Sequence, residues 1–132
     1  MFQYDISPER RRVDVAIEGD TDGKELRAGI ESVIREPLFD ASYAVLIDMR
    51  RVAKTPSIVE LRDLAVAIRT YATSPGARRA IVTDHAVFYH VAALFTQLTM
   101  PALSRYRVFR NVMAAEAWLD NRGSGDMPVV PG

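Results

Sequence analysis

Tyr43-Ala44-Val45-Leu46-Ile47 is an unbroken apolar run closed by Asp48. A strand with one wet face alternates apolar and polar residues. A strand covered on both faces does not, so this run reads as a central parallel strand. It is strand-sized and falls far short of the roughly 18 residues of a membrane helix. The rest of the chain is read outward from it.

Downstream, Ser57-Ile58-Val59-Glu60 is a capping box preceded by Pro56. Its side-chain oxygens take up amides that a helix start leaves free. Leu61, Leu64, Ala65 and Ile68 continue that helix to the breaker Thr73-Ser74-Pro75-Gly76. Ala80-Ile81-Val82-Thr83 is the next buried strand. Asp84 stands where it would cap a helix with Val87, Val91, Leu94, Phe95 and Leu98 on one face and Pro101 at its end. Tyr106-Arg107-Val108-Phe109 is a short last strand, and Asn111 caps a final helix carrying Met113, Ala117, Trp118 and Leu119.

Upstream, Asp22-Gly23-Lys24-Glu25 is another capping box. Leu26, Ile30, Val33 and Ile34 follow on one helix face, and Pro37 ends the helix. Before it, Phe2, Tyr4 and Ile6, then Val13, Val15 and Ile17, alternate with polar residues around the turn Ser7-Pro8-Glu9-Arg10. That is an antiparallel hairpin with one wet face. The order β-β-α-β-α-β-α-β-α predicts an α/β fold with a mixed five-stranded sheet, an N-terminal antiparallel hairpin, parallel central strands, right-handed crossovers and four helices. Residues 1–122 are expected to form one domain, and 123–132 a flexible tail.

Composition narrows the function. The chain has 132 residues, 17 basic and 17 acidic, and no cysteine. A net charge of zero argues against nucleic acid, which wants a basic excess, and against a polybasic membrane anchor. The absence of cysteine excludes disulfides and a thiolate nucleophile, and suits a reducing cytoplasm. No signal peptide or membrane helix is predicted, so the expected location is the cytoplasm without membrane insertion.

The opening hairpin with Gly19-Asp20, the block Tyr43 to Arg50, Arg79 to Thr83, and Val108 to Arg110 with Glu116 to Leu119 together resemble the bacterial STAS-like proteins. These are relatives of the anti-sigma-factor antagonist SpoIIAA, and the nearer likeness is to the small STAS/CRAL-TRIO-like branch. The resemblance implies a non-catalytic regulatory or protein-interaction module. In the antagonists a serine at the start of the helix after the third strand is phosphorylated by a partner kinase. Here the usual Asp-Ser-Ser/Thr-Gly-like motif is missing, and Ser57 opens the matching helix. Ser57 is therefore the one residue to which the resemblance assigns a phosphosite.

Three constellations carry possible chemistry. Arg50, Arg51 and Lys54 lie between Asp48 and the helix start at Ser57, which reads as a loop suited to a small anion or a phosphoserine. The bland alternative is that Ser57 only caps and the arginines pair with Asp48. Asp84 and His85 follow the next buried strand, where parallel sheets bind ligands, and support a hydrolase or isomerase as the third reading. Their bland alternative is a helix cap and an exposed first turn. Phe88, Tyr89 and Phe95 make the helix apolar beyond one stripe, so the second reading is a carrier or sensor of a small apolar or lipid-like ligand, against ordinary core. His85 and His90 face different ways on a helix, and no metal-binding motif or glycine-rich phosphate loop accompanies them. No metal or cofactor is expected. The expected partner is a protein or a second copy in a two-fold dimer, the hairpin offering an edge that needs cover.

Overall fold

The computed structural model describes residues 1–55, 57, 59, 60, 62, 77–99 and 105–120, with the side chains of 91, 94–99 and 105 left out. Its strands are β1 (Phe2–Ser7), β2 (Arg12–Gly19), β3 (Ala44–Val52), β4 (Arg78–Val82) and β5 (Arg105–Phe109). Three α-helices lie among the described residues: α1 (Gly23–Arg35), α2 (Ala86–Thr99) and α3 (Val112–Asp120). The fourth expected helix, from Ser57 to Thr73, falls largely outside the described residues, as does the tail 123–132.

The sheet order is β1-β2-β3-β4-β5. β1 runs antiparallel to β2, and every other neighbouring pair is parallel. The chain crosses from each parallel strand to the next in one direction along the sheet. Crossovers of one hand then put their connections on one face. The packing agrees: Leu26 and Val33 of α1 share a core with Phe88 and Ala92 of α2 and with Val13, Val15, Ile17, Val45 and Val108 of the sheet. Among the described residues α3, which follows the last strand, covers the other face, where Ala115 and Leu119 pack on Ala44, Leu46, Ala80 and Val82. β3 is therefore buried on both sides, which is why its sequence does not alternate.

Local chemistry sets the helix ends. Asp22 accepts the Glu25 amide at 2.8 Å, and Asn111 accepts the Ala114 amide at 3.0 Å, as a side-chain cap should. α1 ends at Arg35, before Pro37. Two residues expected on buried helix faces, Val87 and Met113, are exposed, Leu119 is buried as expected, and the side chains of Val91, Leu94, Phe95 and Leu98 lie outside the described residues. α2 buries Phe88 and Ala92 while Val87 is 78% exposed, and α3 buries Ala115 and Leu119 while Met113 is 79% exposed. The small residues let each helix approach the sheet closely, and that contact outranks the apolar stripe read from the sequence.

Arg12, only 4% exposed, ties α3 to the sheet. Its Nε meets Asp14 at 2.9 Å, and its Nη2 meets Glu116 at 2.8 Å. At Gly29 α1 approaches β1 so closely that a Cβ would collide with the Phe2 ring. Gly29→Ala should therefore destabilise the protein by about 1–3 kcal/mol through overpacking. An exposed helix position would instead gain about 1 kcal/mol from the same change. Urea unfolding measures the sign, and adding Phe2→Leu should recover part of the loss.

Candidate functional site

The carboxyl end of β3 is built around a bulge. Ala16 of β2 pairs with Asp48 and Glu18 with Arg51, so two residues of β2 span three of β3. A bulge leaves an amide without its ladder partner. Asp48 Oδ1 accepts the Arg50 amide at 3.1 Å, and the same carboxylate holds the Arg50 guanidinium in a fork at 2.9 and 2.8 Å. Arg51 reaches Glu18 at 3.5 Å.

This corrects the loop assignment of Arg50 and Arg51: both belong to β3, which runs on to Val52 because β2 continues to pair with it. Arg50 is already matched by a bidentate carboxylate, the strongest of the common ion-pair geometries. Its fork holds the Asp48 carboxyl below the usual carboxylate range, with burial working against it and the Arg50 amide adding to it. The Arg50 cation is favoured in turn by the Asp48 hydrogen bonds and by the charge of Asp84. The fold thus does bring Asp48, Arg50 and Asp84 to one end of the sheet, but as a largely self-compensated group.

Thr83 closes the neighbouring strand end. Fully buried, it accepts the His85 amide on Oγ1 at 3.1 Å, and the His85 carbonyl accepts the Tyr89 amide in the first turn of α2. Thr83, where Asp84 was expected, makes the side-chain contact at this helix start. A hydroxyl two residues before the amide can close such a turn while an exposed carboxylate stays in water. Among the described residues no hydrogen bond joins His85 to Asp48 or Asp84. Ser57 is exposed and its capping box is formed: Ser57 Oγ accepts the Glu60 amide at 3.2 Å, and Glu60 Oε1 accepts the Ser57 amide at 2.9 Å. Lys54 is exposed in the intervening bend.

The aromatic residues of α2 divide. Phe88 is buried core, while Tyr89 is half-buried with His90 on one side and Arg110 on the other. The Phe95 side chain lies outside the described residues.

A cavity of about 60 Å³ lies elsewhere, between α1 and the sheet. Its walls include Ile30, Val33, Phe39, Val45 and Ile47, and among the described residues its polar lining is Arg79 and Tyr106. The two are partners across β4 and β5, at the end of the sheet opposite Asp48. Neither stood out in the sequence. The signal was there: Arg79 is two residues from Ile81, and so shares its strand face. Among the described residues there is no helix long and apolar enough to cross a membrane and no cluster of three or more metal-ligating side chains.

Because the folded Asp48 is more acidic than a free carboxyl, its stabilisation is complete above the ordinary value near 3.9 and is lost as pH falls through its lowered value. Asp48→Asn should unfold at lower denaturant than the parent at pH 7. The gap should narrow as the pH falls below the ordinary carboxyl value, because protonation of Asp48 progressively removes the charge that the variant lacks. Paired unfolding curves across that range check it.

The geometry can be set beside known proteins. A family model described as SpoIIAA-like matches residues 12–120. No curated protein shows a significant match. Among solved structures, an uncharacterised protein of the DUF3478 family from Shewanella loihica PV-4, with a SpoIIAA-like fold, superposes with a TM-score of 0.57. The two are 15% identical over 90% of this chain and 92% of the other, a likeness that speaks for the fold alone. The match to the family model covers most of the sequence, from β2 to the end of α3: the chain belongs to the SpoIIAA-like family.

Proposed function

We propose that the chain is a regulatory module that works by docking a protein partner, and that the helix start at Ser57 is its regulated element. The observation that carries the reading is an exposed serine, in hydrogen-bond contact with a helix-start amide, just beyond the carboxyl end of the central strand of a SpoIIAA-like fold. Asp48, Arg50, Asp84 and His85 belong to the same end of the sheet and would rim the docking surface.

A phosphate on Ser57 would gain the amides and dipole of the helix start. It would also repel Glu60, whose carboxylate now sits 2.9 Å from the Ser57 amide. The box would open, and the first turn would reorganise around the new charge. Arg50 and Arg51 are held by Asp48 and Glu18, so exposed Lys54, three residues before Ser57, is the cation we assign to that phosphate. The switch is thus an exchange of one anion for another at a helix start, and it needs no catalytic group in this chain.

Substitutions that keep the cap separate regulation from stability. Asparagine caps as well as serine and cannot be phosphorylated, whereas aspartate caps and adds charge. Mass spectrometry of the chain isolated from its native cells should find phosphate on Ser57. Co-purification should recover the same partner with Ser57→Asn as with the parent, and much less with Ser57→Asp. Absence of phosphate at Ser57, together with equal recovery by both variants, contradicts the reading.

A further inference from the structure

Arg79 and Tyr106 leave polar demand unmet inside the protein. Arg79 is 5% exposed, and a guanidinium keeps its proton at any ordinary pH. Among the described residues no carboxylate pairs with it. One nitrogen, Nη2, donates to the Ala41 carbonyl at 3.3 Å, and Nε has no partner. The Tyr106 hydroxyl is buried and also has no partner. Burial pushes that phenol up, and the nearby Arg79 charge pulls it part of the way back. Buried charges are normally paired, and buried donors normally bonded, because removing them from water is otherwise costly.

Both groups line one small cavity whose other walls are apolar. Water there would answer the hydrogen bonds but not the positive charge. A phosphate would bring more oxygens and more charge than two donors can meet. A carboxylate matches: it is a single negative charge with two oxygens, one for Arg79 Nε–H and one for Tyr106 O–H. The space, about 60 Å³, admits a short chain.

We propose that the cleft between α1 and the sheet binds a small monocarboxylate, its head held by Arg79 and Tyr106 and its short apolar tail against Val33, Phe39 and Val45. The site lies at the opposite end of the sheet from Ser57, and it stands or falls independently of any switch there.

The test is calorimetric titration of the full-length chain with acetate, butyrate, hexanoate and decanoate, with butyramide and inorganic phosphate as controls. One acid per chain should bind saturably, tightest among the shorter acids, with no binding of butyramide or phosphate. Tyr106→Phe should weaken butyrate by about 10- to 100-fold, the range for a hydrogen bond to a charged group. Without ligand the same variant should melt no lower than the parent, because it deletes a buried hydroxyl that bonds to nothing. Arg79→Met, where it folds, should abolish binding. The proposal is overturned if no acid binds saturably, if butyramide or phosphate binds as well as butyrate, if affinity keeps rising to decanoate, or if Tyr106→Phe binds butyrate like the parent.

Discussion

A guanidinium cannot shed its charge, so every arginine this fold buries must find a counterpart. That constraint organises the molecule. Arg12 is enclosed between β2 and α3 and meets Asp14 and Glu116, which fixes the helix on its face of the sheet. Arg78 donates to the Trp118 carbonyl and lies 5.2 Å from the centre of the Trp118 ring, so it docks the same helix from β4, on the far side of β3. Arg50 is forked by Asp48 at the bulge. Among the described residues Arg79 has one carbonyl and no carboxylate. Breaking a buried pair typically costs about 3–5 kcal/mol, so an arginine left short of a partner marks a place where the unliganded fold is not at its optimum.

The two ends of the parallel strands are therefore different chemical environments. At the carboxyl ends, Asp48 pairs with Arg50, Glu18 pairs with Arg51, and the Glu60 carboxylate accepts the Ser57 amide. It is the end to which the proposed docking of a protein partner is assigned. At the amino ends, α1 and the sheet enclose apolar side chains around two donors. That end suits a small molecule. β3 makes the separation possible, because it is covered on both faces and paired on both edges, so neither end can collapse into the other.

The fold was legible wherever periodicity is the direct consequence of burial. The alternating hairpin, the continuous run at Tyr43 to Ile47 and the Asn111 cap each follow from a local rule. The far end of β3 was not. Met49-Arg50-Arg51-Val52 has the composition of a loop, and only pairing with Glu18 and Gly19 keeps it in the sheet. Of the site, Asp48, Arg50 and Asp84 were read as neighbours, but as an anion site. Pairing of the arginines with Asp48 was the alternative to that site, and the structure forms it for Arg50, with Arg51 on Glu18 instead, at a bulge that no sequence rule announced. Nothing in the sequence marks Arg12, Arg78 and Arg79 as buried. Their burial is a property of strand register, which brings Arg79 beside Tyr106 and onto the face shared with Val45.

The central claim is that the unmet charge of this fold sits at Arg79. The most direct measurement is the side-chain Nε–Hε resonance of Arg79, assigned by substitution and followed by NMR while butyrate is added. The account predicts a saturable downfield move of that proton with slowed exchange with water, while the Arg50 resonance stays in place. A resonance of Arg79 that is unmoved by saturating butyrate, or a response at Arg50 instead, would contradict it.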